Sequence, residues 1–165
     1  MIYAKKYNSP IGEITIATDG DALVGLWFDN QKHFGGKYKN KIEYINKNLK
    51  IFDDVILWLD KYFGGIKSKI NFQLILEGSE FQNKVWKKLI EIPYATTVTY
   101  RDIAKSMGVD RGYCQAIGGA VGKNPISIII PCHRVIGSDG TLKGYAAGIE
   151  KKEYLLKLER SHLVD

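Results

Sequence analysis

Apolar positions follow two different periods in the first part of the chain. Over the first 28 residues they alternate with polar ones and are rich in β-branched side chains. Ile11, Ile14 and Ile16 are followed by Leu23, Val24, Leu26 and Trp27, with Asp19-Gly20-Asp21 between. A period of two sends successive side chains to opposite faces of a strand, so this stretch predicts a small antiparallel meander. From Ile51 to Phe63 the spacing becomes three and four residues, through Ile51, Phe52, Val55, Ile56, Leu59, Tyr62 and Phe63, and Gly64-Gly65 closes it. Such spacing gives a helix one apolar face, which packs on the sheet. A short strand over 72–76 and the Glu77-Gly78 break end an N-terminal lobe, residues 1–77.

Residues 78–165 form a second lobe with another character. It opens on Ser79-Glu80-Phe81-Gln82, a capping box in which serine and glutamine satisfy each other's free amides, and Val85, Trp86, Leu89 and Ile90 continue it as a helix. The segment 97–108 reads as a short capped helix ended by Gly108, with a new start at Asp110. Two short helices so joined fit a helix-turn-helix, and fit an ordinary helical hairpin equally well. The second, 111–122, carries Ala116, Gly118, Gly119, Ala120 and Gly122. Glycine inside a helix costs about 1 kcal/mol per site, so something approaches this backbone closely. A core strand or a nucleic-acid backbone would both account for it. Ser127 to Ile130 reads as a buried strand that Pro131 ends, and a last helix follows Gly148. The fold class is α/β of the α+β kind. An antiparallel sheet with a packed helix precedes a mostly helical lobe, with a winged-helix-like helix-turn-helix and short strands around Cys132.

Composition narrows the function. With 165 residues, 45% hydrophobic and 25% charged, the chain is that of an ordered protein of one compact unit or two small lobes. The longest uncharged apolar run, 126–132, is far too short to span a bilayer, and the first residues lack a signal-peptide layout, so a cytoplasmic monomer is expected. Lys and Arg number 24 against 18 Asp and Glu, a net charge of +6 that suits a polyanionic partner. Only Cys114 and Cys132 occur, neither in a CxxC pair, and His33, His133 and His162 do not cluster with them, so no metal site is readable.

Cys132 carries the candidate chemistry. A lone cysteine after an apolar run is ordinarily a small buried hydrophobe, but here His133 and Arg134 follow it. A thiol attacks carbon as thiolate, and a neighbouring imidazole can take its proton. Adjacent residues of an extended chain point to opposite sides, which favours an intervening water between Cys132 and His133. A carboxylate behind His133 would fix its tautomer, and Glu150, Glu153 and Glu159 of the last helix are all candidates.

The run Pro131-Cys132-His133-Arg134-Val135, with Asn124-Pro125 before it, Gly144-Tyr145 and Leu155-Leu156-x-x-Glu159 after it, and Val98-Thr99-Tyr100-x-x-Ile103-Ala104 upstream, resembles the O6-alkylguanine-DNA alkyltransferases. The likeness runs from Phe81 through Glu159 and leaves the N-terminal lobe without a distinctive motif. It implies single-use DNA repair: the alkyl group of O6-alkylguanine, with O4-alkylthymine as a second candidate substrate, in duplex DNA moves irreversibly to Cys132 after the base is flipped out. It implies His133 as the base acting through water and Glu159 as its orienting carboxylate. Asn124 would brace the turn, Tyr100 would hydrogen-bond the extruded base, and the backbone at Val135, Tyr145 and Ala146 would read the guanine edge. Arg134 would pair with an internal acid. The helix 111–122 would enter the minor groove, with Arg101, Arg111, Tyr113, Gln115, Gly118, Gly119, Ala120 and Lys123 on the DNA. Neither metal nor organic cofactor is implied. At the mid-helix position where relatives carry an inserting arginine this chain has Gln115, and it lacks the cysteine ligands of the zinc-binding extension some relatives have.

Three rival readings make different predictions. A non-catalytic lesion sensor would bind damage without accepting the alkyl group, but such proteins lack the cysteine. A winged-helix regulator would depend on sequence rather than lesion. A cysteine hydrolase using Cys132 and His133 would turn over after its burst.

Overall fold

The computed structural model describes residues 1–161; His162 lies outside the described residues. Two compact units divide the chain, one of Met1–Leu76 with Pro125–Ser127, the other of Glu77–Asn124 with the chain from Ile128 onward.

The first unit is a sheet of β1 (Ile2–Ser9), β2 (Gly12–Thr18), β3 (Leu23–Phe28) and β4 (Ile42–Tyr44), ordered β3-β2-β1-β4. The alternating segments pair antiparallel, β1 with β2 and β2 with β3. The sheet is nevertheless mixed, because β4 runs parallel to β1. Three residues are too few for a period of two to announce itself. Helix α1 (Lys50–Phe63) buries Ile51, Phe52, Val55, Leu59 and Tyr62, and Tyr7 Oη of β1 donates to Asp60 Oδ1 at 2.7 Å. The strand expected over 72–76 is only a single bridge, Leu74 on Leu23. The free edge of β3 is shared with a second bridge, Ile126 on Leu26, and neither segment can lengthen without displacing the other.

The second unit holds α2 (Glu80–Ile90), β5 (Val98–Thr99), α3 (Tyr100–Ser106), α4 (Cys114–Gly122), β6 (Val135–Ile136) and α5 (Ile149–Ser161). The Ser79–Gln82 capping box forms as its pattern predicts, and a second joins Thr99 to Asp102. Gly108, at φ +72°, turns the chain after α3 in a region open to glycine and strained for other residues. Asp110 then caps one 3-10 turn, Arg111–Tyr113, so the α-helix itself begins three residues later than expected. Val85, Trp86, Leu89, Ile103, Ile117, Val121 and Leu155 of this unit are all buried. Trp86 Nε1 donates to the Ala120 carbonyl at 2.9 Å and fixes α4 against α2.

The apolar run before Cys132 is not the strand its composition suggests. Residues 127–130 bend, and the buried Ile128 sits at φ +71°. A β-branched side chain in the left-handed region costs roughly 1–3 kcal/mol and cannot continue a ladder. Asn124 Nδ2 closes the bend by donating to the Ile130 carbonyl at 2.7 Å. A short apolar run signals burial without saying whether a strand or an internal turn is buried. Among the described residues no helix is long and apolar enough to cross a membrane.

Candidate active site

Cys132, His133 and Arg134 form a single 3-10 turn rather than extended chain. The Cys132 amide donates to Ile130 O at 2.7 Å and that of Arg134 to Pro131 O at 3.0 Å. A 3-10 turn rotates consecutive side chains by about 120°, so Cys132 and His133 still diverge. All three are buried, His133 completely.

Helix α5 meets this turn with Glu159. Its carboxylate receives four donors: His133 Nε2 lies 2.6 Å from Oε2, Arg134 Nε donates to Oε1 at 2.8 Å and Nη2 to Oε2 at 3.1 Å, and the Ala95 amide donates to Oε1 at 3.0 Å. The guanidinium spends its remaining reach on the Ile92 carbonyl, 2.7 Å from Nη1. Ala95 holds φ +62°, a strained setting that aims its N–H at the carboxylate. Arg134 thus pairs with a buried acid, and that acid is the one beside His133.

Burial alone would raise the Glu159 pKa, but the hydrogen bonds from His133 and Arg134 outweigh it and hold the carboxyl well below the usual range. An ionised carboxylate only accepts, so neutral His133 carries its proton on Nε2 and presents Nδ1 as its acceptor. Burial pushes the His133 pKa down despite Glu159. Burial likewise pushes the Cys132 thiol up, opposed by hydrogen bonds from Asn124 and Tyr145 and by the charge of Lys152. Tyr100 is raised by its own burial and then by the Cys132 charge, so it stays a proton donor. At rest the site is an un-ionised thiol, a neutral imidazole and a carboxylate.

The structure therefore gathers Cys132, His133, Glu159, Asn124, Tyr100 and Tyr145 around one turn. Val135 is buried with its carbonyl facing Lys152, and Ala146 is half-buried. The other expected residues lie on the surface of the helix-turn-helix. Arg101, Arg111, Tyr113, Gln115, Gly119 and Lys123 are exposed, and Arg101, Lys105 and Arg111 line an open cleft of about 500 Å³. A side chain built at Gly119 or Gly122 would meet nothing within 4 Å, so no core strand packs there; at Gly118 it would meet Tyr100 Cε1 at 3.8 Å. Ala120 differs from its neighbours: it is buried and serves α4 packing through Trp86.

Sequence reasoning passed over Lys152, Ala95 and Ile92. Lys152 had a signal: it stands at the head of the buried stripe Lys152, Leu155, Leu156 and Glu159, where α5 should be apolar. Main-chain donors and acceptors such as Ala95 N and Ile92 O leave no trace in residue type. Among the described residues no group of three His, Cys, Asp or Glu side chains is placed to hold a metal.

Comparison with known proteins gives the following. Residues 80–161 match the family described as 6-O-methylguanine DNA methyltransferase, DNA binding domain, and residues 2–76 its ribonuclease-like domain. A methylated-DNA–protein-cysteine methyltransferase of Methanosarcina barkeri is 46% identical over 98% of this chain and 99% of its own. One of Mycobacterium tuberculosis is 40% identical over 98% and 94%. The crystal structure of Mycobacterium tuberculosis OGT in complex with DNA superposes with TM-score 0.87 at 38% identity, covering 97% of this chain and 94% of that one. An O6-methylguanine DNA methyltransferase from Methanococcus jannaschii gives 0.67 at 26% identity, covering 98% and 96%.

Proposed function

This chain belongs to the 6-O-methylguanine DNA methyltransferase family, and on that premise we propose that it repairs O6-alkylguanine in duplex DNA by moving the alkyl group irreversibly onto Cys132. The observation that carries the reading is the buried relay behind the thiol, with His133 Nε2 2.6 Å from a Glu159 carboxylate that Arg134 keeps ionised. A cysteine that merely filled the core would need no such partner.

In the proposed reaction the Cys132 proton passes through a water to His133 Nδ1, and Glu159 steadies the imidazolium that results. Sγ attacks the alkyl carbon in line, the carbon–O6 bond breaks, and its electron pair stays on the guanine. Tyr100 donates a hydrogen bond to the guanine anion, which takes up the proton that the imidazolium releases. Asn124 and Tyr145 hydrogen-bond the sulfur while it is charged. The backbone at Val135, Tyr145 and Ala146 reads the guanine edge. The thioether is not hydrolysed, so each molecule acts once, as a cytoplasmic monomer whose thiol stays reduced.

Residues 78–165 bind DNA and accept the alkyl group, with 1–77 in support. Helix α4 lies in the minor groove, where bare glycines allow close approach and Arg101, Arg111 and Lys123 meet phosphates. Gln115 takes the place of the extruded base, hydrogen-bonding its orphaned partner without a charge. Gln115→Arg is then expected to speed repair of duplex DNA several-fold and leave the rate with free O6-benzylguanine unchanged. An equal change in both would remove Gln115 from that role.

The reading is tested by counting. Excess duplex carrying O6-methylguanine should be repaired in one burst equal to the protein present, with nothing after it, and Cys132→Ala should give no burst. Continued product formation would assign the site to a hydrolase instead.

A further inference from the structure

Gln31 lies in the loop after β3, in the lobe that carries no distinctive motif, yet it is buried and both polar atoms of its side chain are hydrogen-bonded. Its Oε1 accepts from the Phe28 amide at 2.8 Å and from Ser127 Oγ at 3.3 Å, and its Nε2 donates to the Lys32 carbonyl at 3.4 Å. Glutamine is mostly a surface residue, so one buried with this set of partners is holding something in place. What it holds is the segment Pro125–Ser127, part of the same compact unit. That segment lies along the edge of β3, with the Leu26 amide donating to Pro125 O and the Ser127 amide to Leu26 O, both at 2.9 Å. The Gln31 side chain ties its last residue to the end of the strand, where Phe28 stands.

Between Ser127 and Cys132 the chain reverses twice. Ile128 holds φ +71°, and Pro131, at φ −80° and ψ 64°, is the centre of an inverse γ-turn that the Cys132 amide closes on Ile130 O at 2.7 Å. A β-branched residue stays in the left-handed region only where its surroundings over-determine it. On the far side of Ile128 the fixed point is Ile130 O, which also accepts from Asn124 Nδ2 at 2.7 Å. On the near side it is Ser127. We propose that Gln31 is a positioning residue for alkyl transfer: by clamping Ser127 to the end of β3 it fixes the near flank of Ile128 and, through the γ-turn, the point at which Cys132 is presented. Without the Gln31 oxygen the buried Ser127 hydroxyl and Phe28 amide both lose an acceptor, and Ile128 is free to relax toward an extended conformation. A glutamine that only capped the end of β3 would be satisfied by Phe28 and would have no coupling to the thiol.

The effect on rate rests on the alkyltransferase reading, and the effect on the turn does not, so repair and amide exchange are measured side by side. Gln31→Met keeps the length of the side chain and removes the acceptor. Well below its melting temperature, where the folded fraction matches that of the wild type, repair of duplex DNA carrying O6-methylguanine should slow on the order of tenfold, since small displacements of a nucleophile are costly. The Cys132 amide should exchange its hydrogen faster in the same variant. Gln31→Glu, which restores an acceptor for both donors, should recover most of the rate. A lower melting temperature with an unchanged repair rate, or with unchanged exchange at Cys132, overturns the proposal. If Gln31→Met does not fold, the wild type decides: the Ser127 and Cys132 amides should open with the same denaturant dependence, as one cooperative unit, and Cys132 opening independently of Ser127 overturns the clamp. Joint opening of the two amides in a wild type that repairs no duplex DNA would leave the clamp standing and count against the alkyltransferase reading itself.

Discussion

Glu159→Ala is expected to cost the protein about 3–5 kcal/mol of stability, the usual consequence of removing one partner from a buried pair. The melting temperature should drop by roughly 10 °C for a chain of this size. The loss is large because four donors converge on the one carboxylate, and the exchange strands a buried guanidinium, an imidazole and the Ala95 amide together. Alkyl transfer in whatever remains folded should slow on the order of 100-fold, since His133 loses both its tautomer and the anion that steadies its protonated form. Glu159→Gln keeps the shape and separates the two effects. The carboxyl is held below its ordinary value of 4.5 in the folded protein, so it contributes stability that is complete above that pH and is lost as pH falls through the lower folded value. His133, kept neutral by burial, acts in the same direction, lowering stability as pH falls below its ordinary 6.5. The protein should be acid-labile in thermal melts across this range. Glu159→Gln should flatten the curve below pH 4.5, and a mutant curve parallel to the wild type would contradict the assignment.

Gly119→Leu should do the opposite, sparing the fold and destroying function on DNA. No atom lies within 4 Å of the added carbon, and a helix gains about 0.5–1 kcal/mol from replacing glycine with a better former, so the variant should melt no lower than the wild type. On duplex DNA the same side chain would hold α4 off the groove. Repair should fall on the order of 100-fold, equivalent to about 3 kcal/mol of lost contact, while the reaction with free O6-benzylguanine stays unchanged. Equal rates on duplex DNA for variant and wild type would show that α4 does not approach the backbone.

The two pairs of elements with clear periodic or capping signals were legible in the sequence. Strands β2 and β3 showed their alternation, and α1 and α2 their face and their capping box. The region around the thiol was not, because 126–132 is uncharged and, but for Ser127, apolar, and hides a turn at Ile128 under the composition of a strand. Strand β4 was too short to read, and its parallel pairing is a tertiary fact. At the site, Cys132 and His133 stood out as neighbours. Three glutamates in one helix left the third member open on chemistry alone, and the resemblance of the surrounding motifs chose Glu159. What sequence could not supply was convergence: Ala95 and Ile92 act through their backbones, and Lys152 looks like any other lysine until its burial is seen. The helix glycines were visible from the start, yet only the open space at Gly119 and Gly122 separates a surface that awaits a partner from one already packed.

In the proposed reaction Cys132 itself takes the alkyl group, once. Intact-mass measurement of the protein after one exposure to duplex DNA carrying O6-methylguanine tests it most directly. A gain of a single methyl group is expected, located on the peptide that contains Cys132 and absent from Cys132→Ala. An unchanged mass beside repaired DNA, or methyl found on Cys114, would contradict it.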